Sequence, residues 1–463
     1  MGATGRVIWV VLPNPNPRGT VTPTLRTAAV DLLSTHIPER WVRQRAWGLG
    51  VIRRVGKIDP YALVMVVLLG LVVRGPTSIA QLRQVYCGVA GISLARSAFW
   101  TRLSPSLAAL MWEILERVMS AARAEAERPP GVLGVFRDVL AADASVVKVD
   151  DTLRAVWKGT RRNSAKAALK LHAWVRVFTG ELVKASITAD AHADGKAFGI
   201  DQGLRGVLML FDRGYASPSL WRRIDSVGGY FLCRVPKGWN QPIVSNNRRS
   251  RGRARKLEGL RLRDAFEGLQ RPIIDVMASF ECRVRGYAGG KARKVKENFR
   301  VVAIRHSETG EYALYATNAP PDMLAAKDIR EVYRLRWEVE TFFKLCKSGC
   351  AMNELPSSKE PIVRLLLTAG LLRATLSMRA RAAMVLRFAP GQAHRFAPLQ
   401  WVRWWNEELR SVLRLLLLEF GGWRPRTPVE ELAMLLDPNI RCRPPTRAVF
   451  AGVVNACCMP DMA

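Results

Sequence analysis

The chain has 463 residues, with 71 Lys+Arg against 39 Asp+Glu, and its formal net charge of +32 calls for a polyanionic partner, most commonly a nucleic acid. Because 49% of residues are hydrophobic and 24% charged, a disordered basic tail is excluded and about two to four folded units are expected. The longest unbroken apolar run, Tyr61–Val73, falls short of the ~20 residues of a bilayer span, and eight scattered cysteines point to reduced thiols rather than a disulfide scaffold.

In chain order, Val7–Leu12 runs into Pro13 and Pro15, too short for a signal core, so no export is expected. Tyr61–Val73 reads as a buried helix, and Ile79–Cys87, Leu94–Leu103 and Ala108–Glu127 carry apolar residues at three and four spacing. This helical run closes at Pro129-Pro130-Gly131. Val139–Val149, Leu169–Thr179 and Leu182–Thr188 read as three adjacent strands, the last two joined by a hairpin turn at Thr179-Gly180-Glu181. A helix is expected near Gly195–Leu204, followed by Val207–Phe211, apolar at every residue as befits a strand buried on both faces.

After a further strand at Tyr230–Val235 the chain turns strongly basic. Between Arg234 and Arg300 there are 18 Lys+Arg and 6 Asp+Glu, densest from Arg248 to Lys256. A solvated loop accounts for such a run without function. The strand-like pieces Ile273–Arg285, Phe299–Arg305 and Tyr312–Thr317 favour a β-rich insertion whose basic tip touches a phosphate backbone. From Asp328 the chain reads as helical through Lys347, and Pro361–Phe388 as another helix.

Three carboxylates stand out. Asp143 lies inside the apolar strand Val139–Val147, where an unpaired charge is costly to bury. Asp212 ends Val207–Phe211, in Asp212-Arg213-Gly214-Tyr215, where α/β sheets place functional groups and where a turn-capping Asp is an equal alternative. Glu340 lies on a helix that sets Tyr333, Arg336, Glu340 and Lys347 within roughly a 60° sector, at ~100° per residue, with Leu335, Val339, Phe342 and Cys346 on an apolar stripe. An exposed i,i+4 pair explains Arg336 and Glu340 but not the tyrosine and second base on the same line.

Other constellations are weaker. Cys346 and Cys350 lack a second ligand pair at zinc spacing; His172 and His192 have no nucleophile nearby; Asp150-Asp151 reads as a turn start; no Gly-x4-Gly-Lys-Ser/Thr loop implies ATP. Trp239 is either a base-stacking surface or packing for the insertion, and Trp401, Trp404 and Trp405 either a basic aromatic surface or a core ridge.

The spacing Tyr-x2-Arg-x3-Glu-x6-Lys at Tyr333, Arg336, Glu340 and Lys347 resembles the signature of bacterial DDE transposases of the insertion-sequence-four family. Asp212-Arg213-Gly214-Tyr215 is similar to that family's second acidic motif and Asp143-Ala144-Ser145 to its first; the resemblance covers about residues 138–375. It implies an α/β fold, an RNase H-like mixed-sheet core interrupted by a β-strand insertion and flanked by helical regions. The units expected are 1–135 (helical, DNA-binding), 136–236 (core, first part), 237–317 (basic insertion), 318–375 (core with the Glu340 helix) and 376–463 (helical).

The same resemblance implies a site in which Asp143, Asp212 and Glu340 are catalytic and hold two Mg²⁺ ions, for which Mn²⁺ substitutes. Tyr333, Arg336 and Lys347, with Arg213 and Lys344, would contact DNA. The expected activity is metal-dependent cleavage at transposon ends and transfer of the 3′-hydroxyl into target DNA. The expected partner is double-stranded DNA, bound by a homodimer in the cytoplasm on the nucleoid, with no membrane involved. The alternative is a catalytically inactive DNA-binding protein derived from such an enzyme.

Overall fold

The computed structural model describes residues 32–56, 58–70, 79–90, 92–125, 128–160, 165–192, 199–236, 238–247, 256–266, 270–284, 293–350, 352, 355, 357–388, 397–406 and 409. The densest basic run (248–255), the Val7–Leu12 stretch and most of the C-terminal region lie outside the described residues.

Residues 32–36 are helical and lead into α1 (Glu39–Gly48), α2 (Pro60–Gly70), α3 (Ile79–Ala90), a short α4 (Arg96–Trp100) and α5 (Pro105–Ala124). Every residue of α2 is buried, as its uninterrupted apolar sequence requires. Ser104 caps α5 by accepting from the Leu107 amide, and Pro105 takes the first turn, where its missing N–H costs nothing.

The strands follow: β1 (Asp138–Lys148), β2 (Ala168–Arg176), β3 (Leu182–Ala189), β4 (Val207–Phe211), β5 (Tyr230–Arg234), β6 (Ile243–Asn246), β7 (Ile273–Val284), β8 (Arg293–Arg305) and β9 (Tyr312–Thr317). Gly180 turns β2 into β3 at φ +75°, a region L side chains avoid, and a Cβ there would meet the Met378 methyl group. The expected helix near Gly195–Leu204 is, among the described residues, only a 3-10 turn at Gln202–Leu204, capped by Asp201. Three glycines and a capping aspartate in the sequence of that stretch leave too few apolar residues for a helical face.

All nine strands form one sheet in the order β3-β2-β1-β4-β5-β9-β8-β7-β6. The first five make an RNase H-like core, with β1, β4 and β5 parallel and β2 and β3 antiparallel. The basic segment's strands do not form a separate sheet, because β9 pairs antiparallel with β5 and carries β8, β7 and β6 outward.

Side-chain alternation divides the core in two. Val139, Ala141, Leu208, Leu210 and Leu232 join the cluster shared with the long helices, whereas Leu140, Ala142, Met209, Phe211 and Cys233 join a second cluster around Trp221 on α6 (Pro218–Asp225). A short α7 (Leu262–Phe266) lies within the insertion. Trp239 packs with Trp221 and Phe280 at centroid distances of 5.6 and 5.8 Å, as packing for the insertion requires. Trp401 and Trp405 are buried and Trp404 is partly exposed, so two of the three form a core ridge.

The expected continuous helix from Asp328 to Lys347 is instead α8 (Ile329–Arg334), a turn at Leu335-Arg336, α9 (Trp337–Lys344) and a π-helical turn at Leu345–Gly349. The long helix α10 (Glu360–Phe388) packs on α5 and α2. Its segment Glu360–Val385 is long and apolar enough to cross a membrane, yet 89% of its most apolar window is buried inside the protein. A count of unbroken apolar runs misses it because Arg364, Arg373 and Arg379 interrupt the sequence. Buried Arg373 donates to the Leu68 and Cys350 carbonyls, which satisfies a charge that lipid would not.

Candidate active site

Parallel pairing of β1 with β4 aligns Ala142 with Phe211, so the next residue on each strand is Asp143 and Asp212. Asp212 remains extended (φ −77°, ψ 171°), so alternation carries both carboxylates to the face that bears Val139, Ala141, Leu208 and Leu210. That face is covered by α9, which packs on β1 and β2 and brings Glu340 over the strand ends.

Arg336 joins two of these acids. Its Nη2 donates to Glu340 Oε1 at 2.6 Å and its Nη1 to Asp143 Oδ2 at 3.4 Å, with the guanidinium side chain only 8% exposed. The expected i,i+4 pair therefore exists, but it is buried and extends to a third element. Tyr333 Oη donates to Asp212 Oδ1 at 3.5 Å, and burial pushes this phenol well above its ordinary range. Burial also pushes the Asp143 carboxyl up to about 6; the Ala144 amide and Arg336 oppose the rise, and the charges of Asp212 and Glu340 add to it.

Asp143, Asp212, Glu340, Tyr333 and Arg336 are thus brought together. Lys347 is half-buried in the π turn, whose wider i→i+5 spacing rotates it from the line an unbroken α-helix gives. Arg213 and Lys344 are exposed. The expected turn role of Asp150 is seen directly, since it accepts from the Thr152 amide and hydroxyl. His172 pairs with Ala144, and its side chain, on the sheet face opposite to Asp143, is buried against the Thr188 hydroxyl. Cys346 and Cys350 are buried thiols.

Among the described residues, no group of three His, Cys, Asp or Glu side chains is gathered closely enough to hold a metal ion. The Arg336 guanidinium stands where Asp143 and Glu340 would otherwise approach each other. The donors themselves suit a hard cation such as Mg²⁺, being oxygen-only carboxylates that are partly open to solvent, 25% for Asp143 and 28% for Glu340. Sequence reasoning missed Arg234 and Tyr315, which extend the row of Asp143 and Asp212 across the sheet. The available signal was a charge ending the apolar strand Tyr230–Arg234, the same pattern that marks Asp212.

The chain is similar in sequence to known proteins. The transposase for insertion sequence element IS231F of Bacillus thuringiensis subsp. israelensis is 23% identical over 243 residues, 47% of this chain and 51% of that protein. The putative transposase InsL for insertion sequence element IS186A of Escherichia coli (strain K12) is 34% identical over 89 residues, 19% of this chain and 24% of that protein. The chain therefore spans about half or less of the length of these relatives. A cryo-EM structure of the piggyBac transposase synaptic complex with hairpin DNA aligns over 90% of this chain and 86% of that one, with a TM-score of 0.47 and 10% identity. The family model described as Transposase DDE domain matches residues 134–375, more than half of the chain and a span that holds Asp143, Asp212 and Glu340, so the chain belongs to the transposase DDE domain family.

Proposed function

We propose that this protein is an insertion-sequence transposase of the insertion-sequence-four type that cleaves DNA at its element's ends and joins the freed 3′-hydroxyl to target DNA. The observation that carries this reading is the pair Asp143 and Asp212, each the residue after the last β1–β4 parallel pair, Asp143 in mid-β1 and Asp212 just past the end of β4, with Glu340 linked to Asp143 through Arg336. In this reading the three carboxylates hold two Mg²⁺ ions, or Mn²⁺ in their place. Held there, such ions would supply positive charge to oxygens at phosphorus during cleavage.

The remaining work falls to the chain's own groups. Tyr333 holds Asp212 in orientation through its hydroxyl, and Arg336 neutralises Asp143 and Glu340 until a phosphate offers it alternative acceptors. Lys347, Lys344 and Arg213 then supply charge to the DNA backbone. The substrate is double-stranded DNA, held by two copies of the chain on the bacterial nucleoid in the cytoplasm.

The test is Mg²⁺-dependent nicking of a duplex carrying the element's end. Asp143→Asn, Asp212→Asn and Glu340→Gln should each abolish nicking and leave end binding within a few-fold of wild type. Normal nicking by any one of them removes that residue from the site. Tight DNA binding by a wild-type protein that never nicks would favour the inactive DNA-binding descendant.

A further inference from the structure

The two strand carboxylates occupy half of a register row that continues beyond them. Phe211 on β4 pairs with Cys233 on β5, and Arg234, the next residue, pairs with Tyr315 on β9. Asp143, Asp212, Arg234 and Tyr315 therefore lie side by side on four adjacent strands. They share one face, because Leu232, two residues before Arg234, and Tyr315 itself belong to the same cluster as Val139 and Ala141. At ~4.8 Å between strands, the Arg234 backbone is about 5 Å from that of Asp212 and about 10 Å from that of Asp143.

Cations gather at the Tyr315 end of this row. The Tyr315 ring is buried edge-on against Tyr333 at 5.1 Å, so it abuts the group that reaches Asp212. Its hydroxyl is raised by burial, and the charges of Arg234, Arg330 and Arg213 act on it from β5, α8 and the turn after Asp212. Arg213 and Arg330 are exposed and Arg234 is half-buried. Among the described residues, none of the three forms an ion pair with a carboxylate and the Tyr315 hydroxyl has no hydrogen-bond partner. Three like charges from three separate elements repel one another until an anion joins them, and guanidinium forks match the oxygens of a phosphodiester.

We propose that Arg234, Arg330 and Arg213, with the Tyr315 hydroxyl, form a phosphate subsite that holds the backbone phosphate adjoining the cleaved one on the same DNA strand. This placement rests on the reading of Asp143, Asp212 and Glu340 as the cleavage centre. The phosphate binding itself does not.

The experiment measures binding of the full chain to an end-bearing duplex in EDTA, where cleavage cannot intervene, across a range of salt. Arg234→Ala and Arg330→Ala should each lower the log-log salt slope by about 0.9, the loss of one neutralised phosphate. Arg234→Lys should restore the slope, and Tyr315→Phe should weaken binding several-fold with the slope intact. Uncharged methylphosphonate linkages, scanned one at a time, should reveal a single position that weakens wild type and is silent in Arg234→Ala. Should Arg234→Ala misfold, the exposed Arg330→Ala carries the same test. Unchanged slopes, or equal sensitivity of wild type and variants at every linkage, overturn the subsite. If the silent linkage is found but wild type does not nick in Mg²⁺, the subsite stands and the transposase reading falls.

Discussion

Arg336 sits between two acids, and that position sets what its loss should do. An exposed i,i+4 pair contributes only ~0.5 kcal/mol. This guanidinium is buried and serves both Asp143 and Glu340, so its removal leaves two partly buried carboxylates facing each other. Arg336→Ala should therefore destabilise the metal-free protein by about 1–3 kcal/mol, and Arg336→Lys, which keeps the charge but not the fork, by less. Urea unfolding of the three proteins checks this, and a loss near ~0.5 kcal/mol would mean that the bridge to Asp143 carries no weight. The placement of Asp143 within an apolar strand and of Asp212 just past the end of one was legible from the apolar runs around them. The burial of Arg336 was not legible, since it depends on α9 lying over β1, a contact between segments almost two hundred residues apart.

Among the elements, a buried ionic chain ties the helical region to the sheet at the first residue of β1, Asp138. Arg176 on β2 binds Asp138 and Glu181, and Arg379 on α10 binds Glu181, Glu125 and the His36 ring. Removing one member of such a chain strands its partners, so Arg176→Ala should cost about 3–5 kcal/mol in a denaturant titration. Burial first, and then the Arg379 charge, lower His36 from 6.5 to about 4. The folded state thus binds fewer protons than the unfolded one between those values, and stability falls as pH drops from 6.5 towards 4, by up to about 3 kcal/mol. His36→Gln keeps an acceptor for Arg379, and its unfolding free energy should lose that share of the pH dependence. No periodicity marked this chain, because its members are single charges in five separate stretches. Most strands were legible from their apolar runs, and the β2–β3 turn from Gly180, whereas the short, mostly polar β6 (Ile243–Asn246) was not. The turn at Leu335-Arg336 was not, since Leu335 continues the apolar stripe and neither residue breaks a helix by composition.

For the molecule as a whole, the net charge of +32 predicts DNA affinity dominated by phosphate contacts, with a steep loss on raising salt at ~0.9 per phosphate in log-log terms. Affinity that stays flat from low to physiological salt would contradict a nucleic-acid partner. The β character of the basic segment was legible, but its union with the core was not, because local sequence does not name a strand's neighbour. That union has a geometric result. Neighbouring strands are rotated by roughly 20–25° about the sheet, and five such steps separate β1 from β7, a turn of roughly 100–125°. The β7–β8 hairpin accordingly runs roughly across β1, and its heading is set by a ladder of backbone hydrogen bonds rather than by a hinge. Adding or removing one strand pair between β5 and β7 would swing the hairpin by roughly 40–50° without changing a side chain at the strand ends. In such an architecture the aim of the basic arm is a matter of counting strands.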